Sequence, residues 1–183
     1  MTVKVCSLSS GSSGNCQYIE SGDTRILIDA GFSGKRIQEL LDQIQVDPAT
    51  LDGIFVTHEH IDHTSGIGVM ERGYNIPVYA NISTWKNMPS FLGKIREDNK
   101  RTFETGKKFT INDIEILPFG IPHDAADPVG YSFYLDSRKV TSVTDIGHLT
   151  DTILENIKGS DLLLMESNHD LDIRVNNFCH EGG

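Results

Sequence analysis

Three histidines and an aspartate lie within six residues of this chain, in the segment His58-Glu59-His60-Ile61-Asp62-His63. Because the whole chain has only seven histidines, this spacing is not expected by chance. Imidazole and carboxylate groups are the ligands that zinc, iron and manganese bind in proteins. In an extended segment His58 and His60 would point to the same side, whereas Asp62 and His63 would fall on the next turn. The segment, called the histidine loop below, therefore predicts a metal centre.

The spacing of the four ligands suits two metal ions a few ångström apart. Such a pair of ions can activate water at neutral pH and stabilise the attacking and leaving oxygens of an ester under hydrolysis. The histidine loop alone offers too few ligands for two ions, so others must come from later segments. The chemistry indicated is metal-dependent hydrolysis.

Strand and helix patterns surround the histidine loop. The run 53–56 is apolar enough to be a buried strand, and it ends directly before the loop. A Gly/Ser-rich turn at 11–15 predicts a hairpin between the first two strands, and residues 33–44 carry apolar side chains at helical spacing. Further strands are predicted at 2–8, 16–20, 24–29, 76–80, 109–118, 131–135, 139–143 and 161–166, and further helices at 83–96, kinked at Pro89, and 150–157.

Helices alternate with two groups of strands in this pattern, and the second group looks largely antiparallel. The pattern predicts an α/β sandwich of two sheets. A chain of 183 residues corresponds to about one domain of roughly 150 residues. Hydrophobic residues make up 38% and charged residues 23%, a balance typical of a folded globule.

Charge and composition limit the partners. No apolar run approaches the ~20 residues that a membrane helix needs. The net charge of −10 disfavours loose, sequence-independent coating of nucleic acid. Residues 86–108, with seven Lys and Arg against three Asp and Glu, could face an anionic substrate or could be an ordinary solvated surface. Three cysteines without a CxxC spacing, Cys6, Cys16 and Cys179, indicate buried thiols and favour a reducing, cytoplasmic location.

The H-x-H-x-D-H pattern, preceded by an Asp that ends an early strand, resembles the metallo-β-lactamase superfamily. The resemblance implies an αββα four-layer sandwich and gives roles to single residues. It implies that Asp29 supports the histidine loop, that His123 joins His58 and His60 on a first ion, and that Asp145 bridges to a second ion held with Asp62 and His63. A carboxylate rather than a cysteine at position 145 is similar to the phosphodiesterase and nuclease branches.

Two further blocks resemble the YycJ/WalJ-type members, which are described as 5′ to 3′ DNA exonucleases. They are Ser7-Leu8-Ser9-Ser10-Gly11-Ser12-Ser13-Gly14-Asn15-Cys16 and Glu166-Ser167-Asn168-His169-Asp170. The Gly/Ser-rich turn offers backbone N–H groups that could hold a phosphate, or it could be a plain tight turn. The resemblance makes Ser12, Ser13, Asn15, Asn168 and His169 candidate substrate-binding residues.

The resemblance lacks the closing histidine of the superfamily, which should follow Asn168 by some tens of residues. Residues 1–183 are therefore expected to form a single domain that is incomplete at its C-terminus. His180 could replace the missing ligand, although its spacing differs from the family pattern. About one tightly bound ion is expected, with the second ion weak or absent, and an unpaired sheet edge is expected to favour self-association.

The expected function is hydrolysis of phosphodiester bonds, most simply by a DNA exonuclease. Asp62 would orient the attacking water or accept its proton. The expected cofactor is Zn²⁺, or Mn²⁺ or Fe²⁺, with up to two ions per chain, and the expected partner is nucleic acid, not a membrane. One alternative is a hydrolase of a small cyclic phosphodiester, lactone or thioester. Another is a truncated form that binds metal but is inactive.

Overall fold

The computed structural model describes residues 2–167 and 178–182, and of Ser167 and residues 178–182 only the backbone. Seven strands form one sheet in the order β12-β1-β2-β3-β4-β5-β6, and five form a second in the order β11-β10-β9-β8-β7. The strands are β1 (Val3–Ser9), β2 (Cys16–Ser21), β3 (Thr24–Ile28), β4 (Gly53–Phe55), β5 (Val78–Asn81), β6 (Lys100–Phe103), β7 (Phe109–Ile111), β8 (Ile114–Gly120), β9 (Val129–Leu135), β10 (Arg138–Ile146), β11 (Leu162–Ser167) and β12 (Phe178–Gly182). The α-helices are α1 (Gly34–Gln43), α2 (Ile61–Thr64), α3 (Ile67–Tyr74), α4 (Ile82–Asn87) and α5 (Asp151–Ile157).

Four neighbouring strands of the larger sheet, β3 to β6, are parallel. Helices connect β3 to β4 and β4 to β5, as parallel strands require. Ser33 begins α1, because its side chain accepts a hydrogen bond from the Arg36 N–H. The carboxyl ends of these strands meet at one edge of the sheet, and the residues that follow β3 and β4 therefore lie side by side there.

The two sheets pack face to face around an aromatic cluster. The Phe55 ring stacks on Tyr79 at 4.6 Å between centroids and meets Tyr131 and Phe133 edge-on at 5.8 and 6.2 Å. Aliphatic side chains of both sheets, such as Ile26 and Ile116, complete this core. The geometry of the aromatic contacts is the favourable one for rings.

Two further cores lie outside the sheets. Helices α1 and α3 cover the outer face of the larger sheet through residues such as Leu41 and Met70. Helix α5 covers the smaller sheet through Ile153, which packs near Val143 and Phe119. The layers are thus helix, sheet, sheet and helix, which confirms the predicted αββα sandwich.

Two predicted elements are wrong in extent. The helix predicted at 83–96 ends with α4 at Asn87 and is followed by a 3₁₀ turn at Ser90–Leu92. The helix stops there because Met88, the residue before Pro89, is extended, and because proline has no N–H to continue the helix. The strand predicted at 109–118 is two strands, β7 and β8, because Asn112 turns the chain at a φ of 50°. The sequence patterns also failed to indicate α3 and β6.

Cys6 in β1 is disulfide-bonded, whereas Cys16 is a free and buried thiol. The prediction of reduced thiols is therefore wrong for Cys6. Across the described residues, no helix is long and apolar enough to cross a membrane.

Candidate metal centre

The histidine loop follows the carboxyl end of β4, bends at Glu59 and then enters α2. His60 is the residue before the first turn of α2, and Asp62 and His63 lie on that turn. The side chains of His58 and His63 are fully buried, whereas His60 and Asp62 are partly exposed. The loop therefore places candidate ligands on a bent, non-helical segment and on a helical turn, and the helical turn at Asp62 and His63 is as predicted.

Three imidazoles converge in a first ligand group. His60 Nδ1 lies 3.1 Å from His58 Nε2 and 3.3 Å from His123 Nε2. His123 comes from the loop 121–128, which connects β8 to β9. Nitrogen ligands at 2.0–2.1 Å from a tetrahedral zinc ion lie about 3.3 Å apart, so the three nitrogens have the spacing that one ion needs.

A second ligand group contains His58, His63 and Asp145. His63 Nε2 lies 2.8 Å from Asp145 Oδ2 and 3.6 Å from Asp62 Oδ2. Asp145 Oδ2 is buried. Its contact with His63 Nε2 is an ion pair whose geometry is not that of a normal hydrogen bond. Because His58 belongs to both groups, the two groups adjoin each other.

Asp29 supports the histidine loop from below. Its carboxylate accepts hydrogen bonds from the backbone N–H and the hydroxyl of Thr57, both at 2.8 Å, and lies 2.7 Å from His63 Nδ1. The Thr57 hydroxyl oxygen, which donates to Asp29, is 3.0 Å from His58 Nδ1 and can accept from it. A proton on Nδ1 of each of these rings leaves Nε2 free to bind an ion.

The backbone is strained at two aspartates of the site, Asp29, which follows β3, and Asp145, which lies within β10. Asp29 has a φ of 60° and Asp145 a φ of 54°, a left-handed region that residues other than glycine rarely adopt. Asp145 lies where the pairing of β10 with β11 shifts register between Val143 and Ile146. Such an irregularity redirects a side chain out of the sheet, and strain of this kind is concentrated at functional sites.

The ring charges differ between the two groups. Burial, together with the neighbouring imidazoles of His63 and His123, lowers the pKa of His58 to about 2. Burial would also lower the pKa of His63, but the carboxylates of Asp29 and Asp145 outweigh it and raise this pKa to about 10. Burial lowers the pKa of His123 too. His58 and His123 of the first group are therefore neutral at pH 7, whereas the second group holds a charged imidazole, His63, beside a carboxylate.

The Gly/Ser-rich turn lies against the histidine loop. The Asn15 N–H donates to the Asp62 carbonyl at 2.8 Å, and the Asn15 side-chain Nδ2 is 3.0 Å from His63 Nε2. Gly31 lies at the same contact, and a Cβ there would collide with the Asp62 carbonyl. Asn15 is buried, whereas Ser12 and Ser13 are exposed on the turn. All three remain candidate substrate contacts, although Asn15 has its polar atoms directed at the protein.

Three sequence candidates lie beyond what the structure describes. Asn168 and His169 are outside the described residues. For His180 only the backbone is described, and it lies opposite Val5 in the pairing of β12 with β1. Conversely, the sequence analysis missed Thr57 and Glu59. Their positions next to metal-binding histidines were the one available signal.

The residues present fit a divalent metal ion. Buried imidazoles whose far nitrogens are fixed by hydroxyl or carboxylate groups are the usual surroundings of zinc ligands. The Asp145 carboxylate beside His63 is a second sign, because an imidazole nitrogen and a carboxylate oxygen 2.8 Å apart are both ligands that a divalent transition metal binds. His58, His60 and His123 would hold one ion, and His63, Asp145 and Asp62 could hold another.

Two bacterial proteins are similar to most of this chain. An "Exodeoxyribonuclease YycJ" of Bacillus anthracis is 43% identical over 91% of the chain, and an "Exodeoxyribonuclease WalJ" of Streptococcus pneumoniae is 44% identical over 91%. The chain spans 63% and 62% of the lengths of these two relatives. A "Transcription termination factor FttA" of Methanocaldococcus jannaschii is 35% identical over 78% of the chain but is covered over only 23% of its own length.

Solved structures share the fold. The metallo-β-lactamase fold protein YhfI of Bacillus subtilis superposes with a TM-score of 0.76 at 19% identity, covering 93% of this chain and 74% of YhfI. Zn²⁺-bound PqqB of Methylobacterium extorquens also gives 0.76, at 14% identity, covering 89% and 72%. These identities support likeness of fold alone.

The family model that matches is described as "Beta-lactamase superfamily domain", and the match covers residues 24–175. It includes the histidine loop, His123 and Asp145, which the structure brings together at one sheet edge. The chain belongs to the beta-lactamase superfamily.

Proposed function

We propose that this chain is a metal-dependent phosphodiesterase that acts on DNA as an exonuclease. The observation that carries the proposal is the pair of adjoining ligand groups that share His58, the second of which contains the carboxylate of Asp145. Two ions held this way would activate water and stabilise charge on the phosphate. The names of the two relatives at 43% and 44% identity support a DNA substrate.

Asp62 is the proposed proton acceptor. Its side chain is 28% exposed and lies 3.6 Å from His63 Nε2, so it borders both the ligands and the solvent. The backbone bond from Asn15 fixes the carbonyl of Asp62 and with it the start of α2. A carboxylate held at this place can orient a water molecule against the scissile phosphate and take its proton.

Substrate binding is proposed for the exposed hydroxyls of Ser12 and Ser13, and for Asn15, Asn168 and His169 from the sequence. The basic segment 86–108 contributes less than its composition indicates. Four of its cations form ion pairs, Arg96 with Glu71, Lys100 with Glu97, Lys107 with Glu104 and Lys108 with Glu115. Among the described residues this leaves Lys86, Lys94 and Arg101 without an ion pair, so most of the attraction for phosphate must come from the ions themselves.

Single-turnover cleavage of a 5′-phosphorylated DNA strand in the presence of Zn²⁺ or Mn²⁺ tests the proposal. The expected result is shortening of the strand from its 5′ end, with no cleavage by His58→Ala, His60→Ala. Substrate binding should weaken steeply with added salt, because phosphate contacts release counterions. Hydrolysis of a cyclic phosphodiester, lactone or thioester with no salt dependence, and none of DNA, would instead identify a small-molecule hydrolase.

A comparison of lengths sharpens the test. The same assay on this chain and on a full-length relative should show slower cleavage by this chain, with about one tightly bound ion. Excess Mn²⁺ should then raise its rate, because mass action fills a weak site. Equal rates without added metal would contradict a weak second site, and metal binding without any cleavage would support an inactive form. We also predict that residues 1–183 form one domain, that the protein associates with itself through a sheet edge, and that it is cytoplasmic.

A further inference from the structure

The loop 121–128 carries His123 and must be placed accurately, because its partners in the first ligand group come from a segment more than 60 residues earlier. Besides a bond from Thr105 to Asp127 and bonds within the loop, three hydrogen bonds hold the loop at its far end. The Val129 N–H donates to the Thr57 carbonyl at 3.0 Å, and Asn81 Nδ2 donates to the Asp127 carbonyl at 2.7 Å. The third bond comes from the histidine loop itself.

That third bond joins the two ligand-bearing loops directly. The Ala126 N–H donates to Glu59 Oε1 at 2.8 Å. Glu59 stands between His58 and His60, where the chain bends. The rings of His58 and His60 face each other at 3.1 Å between Nε2 and Nδ1, while the Glu59 carboxylate reaches the loop that brings the third imidazole.

The second carboxylate oxygen of Glu59 is in an unusual position. Oε2 is buried, and no described residue gives it a hydrogen bond. Burying a carboxylate oxygen without a partner destabilises the protein. The bond from the Ala126 N–H is thus the one hydrogen bond that the described residues give this carboxylate, and it acts on the loop that carries His123.

We infer that Glu59 is a positioning residue for the first metal ion: it fixes the distance between His123 and the pair His58 and His60 through the Ala126 backbone. The inference deepens the proposed function, since it rests on these three imidazoles as ligands. It assigns to Glu59 neither contact with substrate nor proton transfer. The requirement is an acceptor oxygen of the right length, which an amide also supplies.

Cobalt titration of the apo-protein tests the inference without relying on catalysis. Co²⁺ absorption reports both the affinity and the ligand geometry of the site. Glu59→Ala should weaken binding about 10–100-fold, the usual cost of losing a support of a metal ligand, and should alter the spectrum of the bound ion. Glu59→Gln, whose amide oxygen can still accept from Ala126, should bind within about threefold of the parent with the parent spectrum. Glu155→Ala, an exposed glutamate of α5, is the matched control and should change neither.

Several outcomes would overturn the inference. They are parent-like binding by Glu59→Ala, equal losses in the Ala and Gln variants, or no Co²⁺ binding by the parent. Should Glu59→Ala fail to fold, Glu59→Gln and Glu59→Asp decide the question, since Asp keeps the charge but shortens the reach and is expected to weaken binding. Failure of the proposed function looks different: the parent and Glu59→Gln would bind Co²⁺ alike, yet neither would cleave DNA.

Discussion

The two ligand groups at the sheet edge share His58 but differ in what holds them together. In the first, His60 Nδ1 lies 3.1 Å from His58 Nε2 and 3.3 Å from His123 Nε2, without an intervening carboxylate. In the second, His63 already contacts Asp145 at 2.8 Å and Asp29 at 2.7 Å. A metal ion can enter the first group directly, but in the second it must replace an existing ion pair.

This difference teaches how one short loop can serve two unlike sites. His58 and His60, which precede α2, need His123 from a distant loop to complete their group. His63, on the helical turn, is instead held directly by Asp29. We therefore expect the first group to bind the tighter ion.

Removing two imidazoles should have the largest effect. His58→Ala, His60→Ala leaves His123 as the sole ring of the first group and takes His58 from the second, and one imidazole with carboxylates cannot hold a divalent ion tightly. Metal content per chain, measured by mass spectrometry, should fall to background. His148→Ala, which removes an exposed histidine that belongs to neither group, should keep the parent content. Unchanged metal in the double variant would refute the ligand assignment.

Asp29→Ala should mainly damage the second group. The change leaves the Thr57 N–H, the Thr57 hydroxyl and His63 Nδ1 without their buried acceptor, and it places alanine at a φ of 60°. Loss of one partner of a buried ion pair costs about 3–5 kcal/mol. Urea unfolding of the apo-protein measures this loss, and Asp29→Asn, which tolerates the backbone angle, should lose less. Equal stability of Asp29→Ala and the parent would show that the carboxylate supports nothing.

Thr57→Val should affect both groups moderately. Valine keeps the shape of threonine but removes the hydroxyl that links Asp29 with His58. Metal affinity should fall about 10–100-fold, while the fold is retained, as judged by circular dichroism. An affinity equal to that of the parent would mean that the orientation of the His58 ring does not depend on this hydroxyl.

The smallest effect concerns pH. Because the folded pKa of His63, about 10, lies above its ordinary value of 6.5, the protonated ring stabilises the apo-protein below pH 6.5. This contribution is lost as pH rises toward 10, and a shift of this size limits it to about 5 kcal/mol at most. Urea midpoints between pH 6.5 and 10 should therefore fall in the apo-protein. His63→Gln, which cannot titrate, should flatten this decline, and an equally steep decline in that variant would contradict the assigned pKa.

The sequence predicted the local parts of the site and missed the parts that depend on strand alignment. The candidate ligands His58, His60, Asp62 and His63 could be proposed because their spacing is contained in six residues. Thr57 and Glu59 could not, since their partners Asp29 and Ala126 lie 28 and 67 residues away in sequence. Only the pairing of β3 with β4 and the path of the loop 121–128 bring them into contact.

The fold shows the same division. Buried strands such as β3 and the helix α1 have clear apolar patterns and were predicted close to their observed bounds. Helix α3 was missed because it is short and contains Gly68 and Gly73, both poor helix formers. Helix α4 was predicted too long: beyond Pro89 the chain continues as 3₁₀ turns and loop, and Gly93 has a φ of 73°, which no helix accommodates.

The central claim is that His58, His60 and His123 form the tighter metal site. Anomalous X-ray scattering at the zinc edge, from crystals grown with one equivalent of Zn²⁺ per chain, tests it most directly. We predict one peak about 2.0–2.1 Å from His58 Nε2, His60 Nδ1 and His123 Nε2, with far weaker scattering between His63 and Asp145. A dominant peak between His63 and Asp145, or a peak that His123 does not contact, would contradict the account.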